Sequence, residues 1–227
     1  MKSTEIKVWD LPLRLFHWSL LICVAGALVS VQLKAMEWHG RFGLAVLGLM
    51  VFRLVWGFIG STHSRFLSFA PRPSSLADYL RGHWQGLGHN PLGALSVFAI
   101  LAVLIFQALS GLFADDVIAF SGPLRQLVSG DTSSWLTGWH TRMEWVIYGL
   151  IALHLGAIAF HELVKRERLI KPMVTGVKRE QAASDHPTKG GGWFAFFVAA
   201  LVAVAAVWVA NGALLSPPPP PPQDLGW

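Results

Sequence analysis

The sequence predicts an all-α integral membrane protein, a bundle of helices that cross the bilayer. Its composition is too apolar for an ordinary soluble domain, since 53% of the 227 residues are hydrophobic and only 14% are charged. Five apolar stretches have about the length of roughly 20 residues that a membrane-spanning helix needs. They cover about residues 12–32, 39–60, 93–113, 143–164 and 193–215. The intervening segments are too short for a second core, so we expect the chemistry inside the bundle or at its rims.

The basic residues predict how the bundle is oriented. The formal net charge is +5, but the cations flank the spans and do not form a nucleic-acid-binding surface. The groups before the first span, between the second and third, and between the fourth and fifth fall on one side if the helices alternate. The positive-inside rule then predicts a multi-pass membrane protein with its N-terminus in the cytoplasm and its C-terminus on the outer side. Membrane lipid is therefore an expected partner and nucleic acid is not.

The histidines of the apolar segments fall at two depths. A separation of 14 or 7 residues returns nearly to the same helix face, so His140, His154 and His161 form one stripe. At ~1.5 Å per residue, His140 and His154 lie ~21 Å apart along the axis of a ~30 Å hydrocarbon core. His39 opens the second span at the outer end and His17 lies in the inner half of the first. His39 therefore shares the outer level with His140, and His17 shares the inner level with His154 and His161.

Two levels of paired imidazoles suit two haems, each iron held from both faces by neutral histidine nitrogens. The alternative is that these histidines only donate hydrogen bonds between helices. Zinc or copper is disfavoured because the levels are far apart and the spans hold few acids. The single cysteine, Cys23, excludes an internal disulfide, a cysteine-ligated iron–sulfur cluster and a covalently attached c-type haem.

Four arginines near these levels are candidates to bind haem propionates, because paired carboxylates favour a forked cation. Arg14 and Arg53 belong to the inner side, and Arg41 and Arg142 to the outer side. Each is equally explained by a side chain that reaches from a helix end to the headgroup layer.

The connecting segments carry fewer signals. The loop over residues 60–91 is predicted to include a short helix on the inner surface, and residues 114–139 form the largest outer loop. The remaining histidines are predicted to be surface residues in loops; they are His63, His83, His89 and His186.

Four stretches of the sequence resemble one family. They are "VWDLPLRLFHW", "WHGRFGLAVLGLMVFRLVWGFIGS", "GHNPLGALSVFAILAVLIFQALSGLFADD" and "WHTRMEWVIYGLIALHLGAIAFHELVKRERLIKPMVTGVKR". Over about residues 8–179 the chain is similar to the prokaryotic cytochrome b561 and nickel-iron hydrogenase cytochrome b subunit family. The resemblance implies a four-helix core that binds two b-type haems, with His39 and His140 as axial ligands of the outer haem iron and His17 and His154 of the inner one. From the residues alone, His161 still competes with His154.

The resemblance also implies a protein of the bacterial inner membrane, whose outer side is the periplasm, and together with the apolar pattern it divides the chain. We expect the four-helix transmembrane domain in residues 1–180, a linker over 181–192, a fifth C-terminal transmembrane helix over 193–215 and a Pro-rich periplasmic tail over 216–227. The fifth span and the tail lie outside the family's four-helix core, so they leave the redox partner open.

The predicted function is electron transfer across the membrane by a dihaem cytochrome b. Two axial histidines leave no open iron position, which favours one-electron transfer over oxygen binding. The implied donors or acceptors are a periplasmic redox protein (a c-type cytochrome, a hydrogenase or another dehydrogenase) or superoxide on one side, and the respiratory quinone pool, ubiquinone or menaquinone, on the other. Quinone reductase or superoxide oxidase activity is compatible with the resemblance, and no residue is predicted to be catalytic. The alternatives are a membrane anchor that docks a periplasmic redox protein, and a histidine-lined proton or metal transporter.

Overall fold

A computed structural model describes residues 4–84, 90–118, 120–180 and 190–215. In chain order the elements are β1 (Thr4–Lys7), α1 (Leu11–Gln32), α2 (Met36–Ile59), a 3-10 turn (Thr62–Ser64), α3 (Phe66–Phe69), α4 (Pro73–Leu80), α5 (Pro91–Leu112), a 3-10 turn (Arg125–Leu127), α6 (Gly130–Leu163), α7 (Ile170–Thr175), β2 (Val177–Glu180) and α8 (Gly192–Ala210). Helices α1, α2, α5, α6 and α8 are long and apolar enough to cross a membrane. The prediction of a helical membrane bundle is confirmed.

Side-chain caps fix where three of these helices begin. Asp10 accepts a hydrogen bond from the backbone N–H of Leu13 at 2.7 Å, and Asn90 accepts one from Gly93 at 2.7 Å. Ser129 accepts from Thr132 at 3.2 Å. A side-chain oxygen at this position satisfies an N–H that would otherwise have no partner within the helix.

Helix α6 is longer than predicted. The apolar pattern places this span at residues 143–164, but the helix begins at Gly130 and runs for 34 residues. At ~1.5 Å per residue it measures ~51 Å, well beyond a ~30 Å hydrocarbon core. The first residues of α6 are too polar for a membrane window, yet their backbone bonds and the Ser129 cap support helix. The outer loop predicted over 114–139 is therefore shorter, because its residues from Gly130 onward belong to α6. His140 lies well inside this helix.

Helix α2 lies at the centre of the bundle, in contact with α1, α5 and α8. Its side chains Met50 and Trp56 are 1% and 2% exposed. Helix α8 packs on α2 through the buried small residues Ala199 and Ala203, and a Cβ added to Gly48 of α2 would come within 2.8 Å of α8. Small residues allow such close approach in a membrane, where dispersion contacts hold helices together.

The two ends of the bundle differ. The N-terminal face is the end at which α1, α5 and α8 begin and α2 and α6 end; the other end is called the opposite face. At the N-terminal face β1 pairs antiparallel with β2, from Thr4 opposite Glu180 to Lys7 opposite Val177. The Gly176 carbonyl accepts the N–H groups of Val8 and Trp9 at 2.9 and 3.2 Å. Neither the strands nor α7 was predicted; they tie the segment after α6 to the start of α1.

Other segments agree with the predictions to different degrees. Helix α4 lies in the loop where a short helix was predicted, and α8 ends at Ala210, with turns over residues 211–215 instead of helix. His83 is exposed as predicted, whereas His63 is half-buried. His89, His186, most of the predicted linker and the Pro-rich tail lie outside the described residues.

Candidate functional site

The histidines predicted for the outer level face each other across the bundle. The ring centroids of His39 on α2 and His140 on α6 are 6.0 Å apart, and their planes are inclined by 87°. The backbone of α6 packs most closely on α5. The contact between α6 and α2 at this level is made by the side chains of the two histidines. The structure therefore brings together two imidazoles from helices that lie far apart in the sequence.

A backbone carbonyl orients the His39 ring. Its Nδ1 lies 2.9 Å from the Ala27 oxygen on α1. A carbonyl only accepts hydrogen bonds, so Nδ1 carries the proton in the neutral ring and donates it. The lone pair then lies on Nε2, which is the arrangement of a histidine that binds a metal through Nε2.

Helix α5 orients His140 in the same way. The Nδ1 of His140 lies 3.0 Å from the Gln107 carbonyl and 3.1 Å from the Ser110 hydroxyl. The Gln107 amide in turn donates to the His140 carbonyl at 3.0 Å. This reciprocal pair fixes the ring and leaves Nε2 for a ligand. The sequence analysis missed both α5 residues, although an amide within the apolar run "ILAVLIFQALSG" is a signal of function or of helix pairing.

Glycines make room around the outer histidines. A Cβ added to Gly111 would lie 2.9 Å from Cε1 of His140, and one added to Gly40 would lie 2.9 Å from the Phe120 ring. Phe120 in turn meets His39 edge to face, with centroids 6.5 Å apart. Gly43, one turn from His39 on nearly the same helix face, would meet no atom within 4 Å. The His39 face is thus bordered by space that any larger side chain would enter.

The outer pair fits a metal held between two imidazoles. With metal–nitrogen bonds of about 2.0–2.1 Å on each side, the two ring centroids would be about 6 Å apart, close to the observed 6.0 Å. In the part of the chain that the structure describes, no three His, Cys, Asp or Glu side chains cluster into a metal site. A tetrahedral ion needs more ligands than this pair offers, whereas a haem iron needs two axial ones.

The inner histidines are also close neighbours. His17 on α1 and His154 on α6 lie near enough to interact electrostatically. Nδ1 of His17 is buried and has no hydrogen-bond partner among the described residues, and the ring meets Trp18 edge to face at 5.2 Å. A buried polar nitrogen without a partner is costly, and unlike the Nδ1 atoms of His39 and His140 this one is not oriented by a carbonyl of the described residues.

His161 has a different environment. It is 9% exposed, and its Nδ1 lies 2.8 Å from a carboxylate oxygen of Glu167 beyond the end of α6. Its ring also contacts the neighbouring Phe160 edge to face. Through these contacts His161 holds the turn that follows the end of α6, which is a structural role.

The inner arginines both have nitrogens that lack partners. The Arg14 guanidinium donates to the Val174 carbonyl on α7, while its Nε is buried with no partner among the described residues. Arg53 is 2% exposed, its guanidinium carbon lies 4.5 Å above the Phe66 ring, and its Nη1 is likewise unpaired within the described chain. Each is a buried cationic donor that a carboxylate would satisfy.

The outer arginines have neighbours on their own helices. Arg41 is paired with Glu37 at 2.5 Å and lies over the Trp38 ring at 4.9 Å. Arg142 lies over the Trp139 ring at 5.8 Å. Both arginines are exposed. Of the four arginines predicted to bind propionates, these are the two that contact residues of their own helix.

A polar cluster connects α1 to α6 near the outer histidines. Gln32 donates to a carboxylate oxygen of Glu144 at 3.1 Å, and the Tyr148 hydroxyl donates to the same oxygen at 2.9 Å. This contact joins two helices that meet mainly through side chains, and it helps to set the distance between them.

Comparison with known proteins places these residues in context. The family model described as "Prokaryotic cytochrome b561" matches residues 8–176. The chain is similar to the "Probable Ni/Fe-hydrogenase 1 B-type cytochrome subunit" of Escherichia coli (strain K12), with 20% identity over 216 residues that cover 75% of this chain and 89% of the relative. It is also similar to the "Probable Ni/Fe-hydrogenase B-type cytochrome subunit" of Azotobacter chroococcum mcd 1, with 24% identity over 224 residues that cover 77% and 89% of the two chains. The matched region includes both histidine pairs and ends before α8.

Proposed function

The chain belongs to the prokaryotic cytochrome b561 family, and we propose that it holds two b-type haems and moves electrons across the membrane. Family membership makes it a multi-pass membrane cytochrome of b type that takes part in electron transfer. The number of haems, their ligands and the redox partners are the proposal.

The observation that carries the proposal is the geometry of the outer pair. His39 and His140 each donate Nδ1–H to a backbone carbonyl, so each directs a neutral Nε2 lone pair to a shared ligand. We assign the outer haem to these two histidines. When bound, haem b supplies a one-electron iron couple, and two protein ligands leave no position for oxygen.

The inner haem is assigned to His17 and His154. This choice is supported by their mutual proximity. His154 is chosen over His161 because it is the histidine that interacts electrostatically with His17. Arg14 and Arg53 are proposed to hold the inner propionates, since each has a buried nitrogen without a partner. Arg41 and Arg142 remain proposed for the outer propionates, where their local partners would have to be shared.

The proposed redox partners depend on which face of the bundle lies in the periplasm. We propose an orientation in the inner membrane with the N-terminal face in the cytoplasm, because the basic segments collect there. The outer pair then receives or delivers electrons at the periplasmic face, and the relatives' names favour a hydrogenase as that partner over another dehydrogenase, a c-type cytochrome or superoxide. A lipid-soluble quinone is proposed as the membrane partner, since it diffuses in the same hydrophobic layer as the bundle.

Residues 1–180 are proposed as the haem domain, with the linker, fifth helix and tail following it.

The first experiment is a dithionite-reduced minus oxidised spectrum of the purified full chain, with haem per chain counted by pyridine haemochrome. Two b-type haems are expected. His39→Ala and His17→Ala should each leave one haem, and the exposed His83 provides a matched control, since His83→Ala should leave both. A colourless protein from haem-supplied cells would overturn the proposal in favour of transport or plain helix packing.

A second measurement tests the quinone. The reduced protein is mixed with a short-chain ubiquinone or menaquinone analogue, and reoxidation is followed at the haem absorbance. Reoxidation that rises with quinone concentration supports the assignment. A rate that is independent of quinone would remove quinone from the proposal while leaving the haem count unaffected.

A further inference from the structure

A cleft of about 570 Å³ opens at the N-terminal face, between the turn that follows α6 and the α7–β2 segment. Its lining includes the cations Arg166, Arg168, Lys171 and Lys178, together with Glu167. None of these residues belongs to a histidine pair, and neither proposed haem site uses them.

The turn that forms the cleft is well fixed. One carboxylate oxygen of Glu162 accepts the N–H groups of Leu169 and Ile170 at 2.7 and 2.9 Å, and the N–H of Glu167 donates to the His161 carbonyl at 2.9 Å. Arg166 has a φ of +56°, in the left-handed region that residues other than glycine rarely adopt. Such a conformation persists only where the surrounding contacts enforce it.

Three cations of the cleft lack a counter-charge within the described residues. Arg166, Arg168 and Lys171 form no ion pair within 4.0 Å there, and the carboxylate of Glu167 is bonded to His161 at 2.8 Å. Like charges that are held together repel one another, and an anion between them removes this cost. The cleft is therefore complementary to a negatively charged group.

The surroundings of the cleft are apolar and lie at a membrane boundary. Leu163 and Val164, at the end of the α6 span, are 78% and 66% exposed, and Ile170 and Val174 on α7 are 51% and 55% exposed. Such side chains suit contact with acyl chains next to a headgroup layer. We propose that the cleft binds the phosphate of an anionic phospholipid, whose acyl chains cover these side chains.

The cleft is connected to the inner histidine site. The carbonyls of Met173 and Val174 on α7 accept hydrogen bonds from the Trp18 indole, at 3.3 Å, and from the Arg14 guanidinium. These two residues flank His17 on α1. A lipid that neutralises the cations would stabilise α7 against α1 and thus support the helix turn that carries His17.

The test measures lipid retention by native mass spectrometry of the purified full chain in detergent, with phosphatidylglycerol or phosphatidylethanolamine added at matched concentrations. We expect preferential retention of phosphatidylglycerol. Arg166→Gln combined with Arg168→Gln should weaken its retention about thirtyfold, since each basic residue near the surface contributes about one factor of five. Arg166→Lys with Arg168→Lys keeps the charge and should keep most of the retention.

The matched control is Arg72→Gln with Arg81→Gln, two exposed arginines that flank α4 at the N-terminal face. This double variant should retain phosphatidylglycerol like the unaltered protein. Equal losses of the lipid in the two double variants would overturn the proposal, because they would indicate general charge attraction. Lys171→Gln, with an expected loss of about fivefold, gives an independent result if the cleft variant does not fold. Displacement of the lipid by millimolar inorganic phosphate would also overturn the proposal, because the cleft would then bind a soluble anion.

Discussion

Asp10 is the residue whose replacement is expected to affect the fold most. Its carboxylate accepts hydrogen bonds from the Leu13 backbone at 2.7 Å, the Trp56 indole at 3.1 Å, the Ser64 hydroxyl at 2.7 Å and the Ser61 hydroxyl. It thereby caps α1 and fastens that cap to the end of α2 and the turn beyond it. We expect Asp10→Ala to destabilise the protein strongly.

The magnitude follows from the burial of the donors. Trp56 and Ser61 are 2% exposed and Ser64 is 0% exposed, so water cannot replace the lost acceptor. A hydrogen bond to a charged group contributes about 1.5–3 kcal/mol, and a buried donor left unpaired costs about 1–3 kcal/mol. These terms are not additive over one carboxylate, and the largest single-substitution effects exceed about 4–5 kcal/mol only rarely. We therefore expect a loss of about 3–5 kcal/mol.

The assay is reversible unfolding of the purified protein in one detergent, followed by circular dichroism. Asp131→Ala is the control, because Asp131 is an exposed acid in the first turn of α6 and should cost only about 0.3–1 kcal/mol through the helix dipole. Asp10→Asn should fall between the two, since an amide oxygen still accepts some of the donors. If Asp10→Ala costs no more than Asp131→Ala, the assignment of Asp10 as the fastening point of α1 is wrong.

Two further substitutions test the histidine environment. His161→Ala should leave both haems in place, counted by pyridine haemochrome, and should cost about 1 kcal/mol for the half-buried bond to Glu167; loss of a haem would show that His161, not His154, is the inner ligand. Gln107→Leu removes a 3.0 Å bond to the His140 carbonyl and also a buried side-chain oxygen without a partner among the described residues. These effects oppose each other, so the free energy of unfolding, measured by thermal unfolding, should change by less than about 1 kcal/mol. A loss above about 2 kcal/mol would contradict this balance.

Hydropathy located the spans well where a helix is apolar throughout its length. The predicted spans at 12–32, 39–60 and 93–113 differ from α1, α2 and α5 by three residues or fewer. Helix α6 shows the limit of this approach, since the residues before Arg142 are too polar for a hydrophobic window. Backbone hydrogen bonding and the Ser129 cap do not depend on hydropathy, and they extend the helix to Gly130.

The strand pair could not have been predicted from local pattern. β1 and β2 have four residues each and are separated by most of the chain. A strand of this length carries little alternation, and its pairing depends on where α1 and α6 place its ends. Gly176, with a φ of +83°, is a local signal for a turn after α7, but it does not identify the partner strand.

The proximity of His39 to His140 could be predicted because helix geometry converts sequence spacing into depth, but the orientation of the imidazole rings could not. Spacing alone puts His154 and His161 on the same stripe as His140. The proposed choice between them rests on the position of a residue outside the stripe, His17 on another helix, which interacts with His154. Likewise, the ring nitrogen available at His140 is determined by α5.

The fifth helix illustrates how packing connects a segment outside the family match to the haem-bearing core. Helix α8 lies beyond residue 176, where that match ends, yet it packs against α2, the helix that carries both His39 and Arg53. Phe196 of α8 meets Phe52, the neighbour of Arg53, with ring centroids 5.8 Å apart. Since α2 also contacts α1 and α5, α8 encloses it on a further side. The burial of Arg53, and with it the proposed inner propionate site, therefore depends on packing around α2 to which the fifth helix contributes.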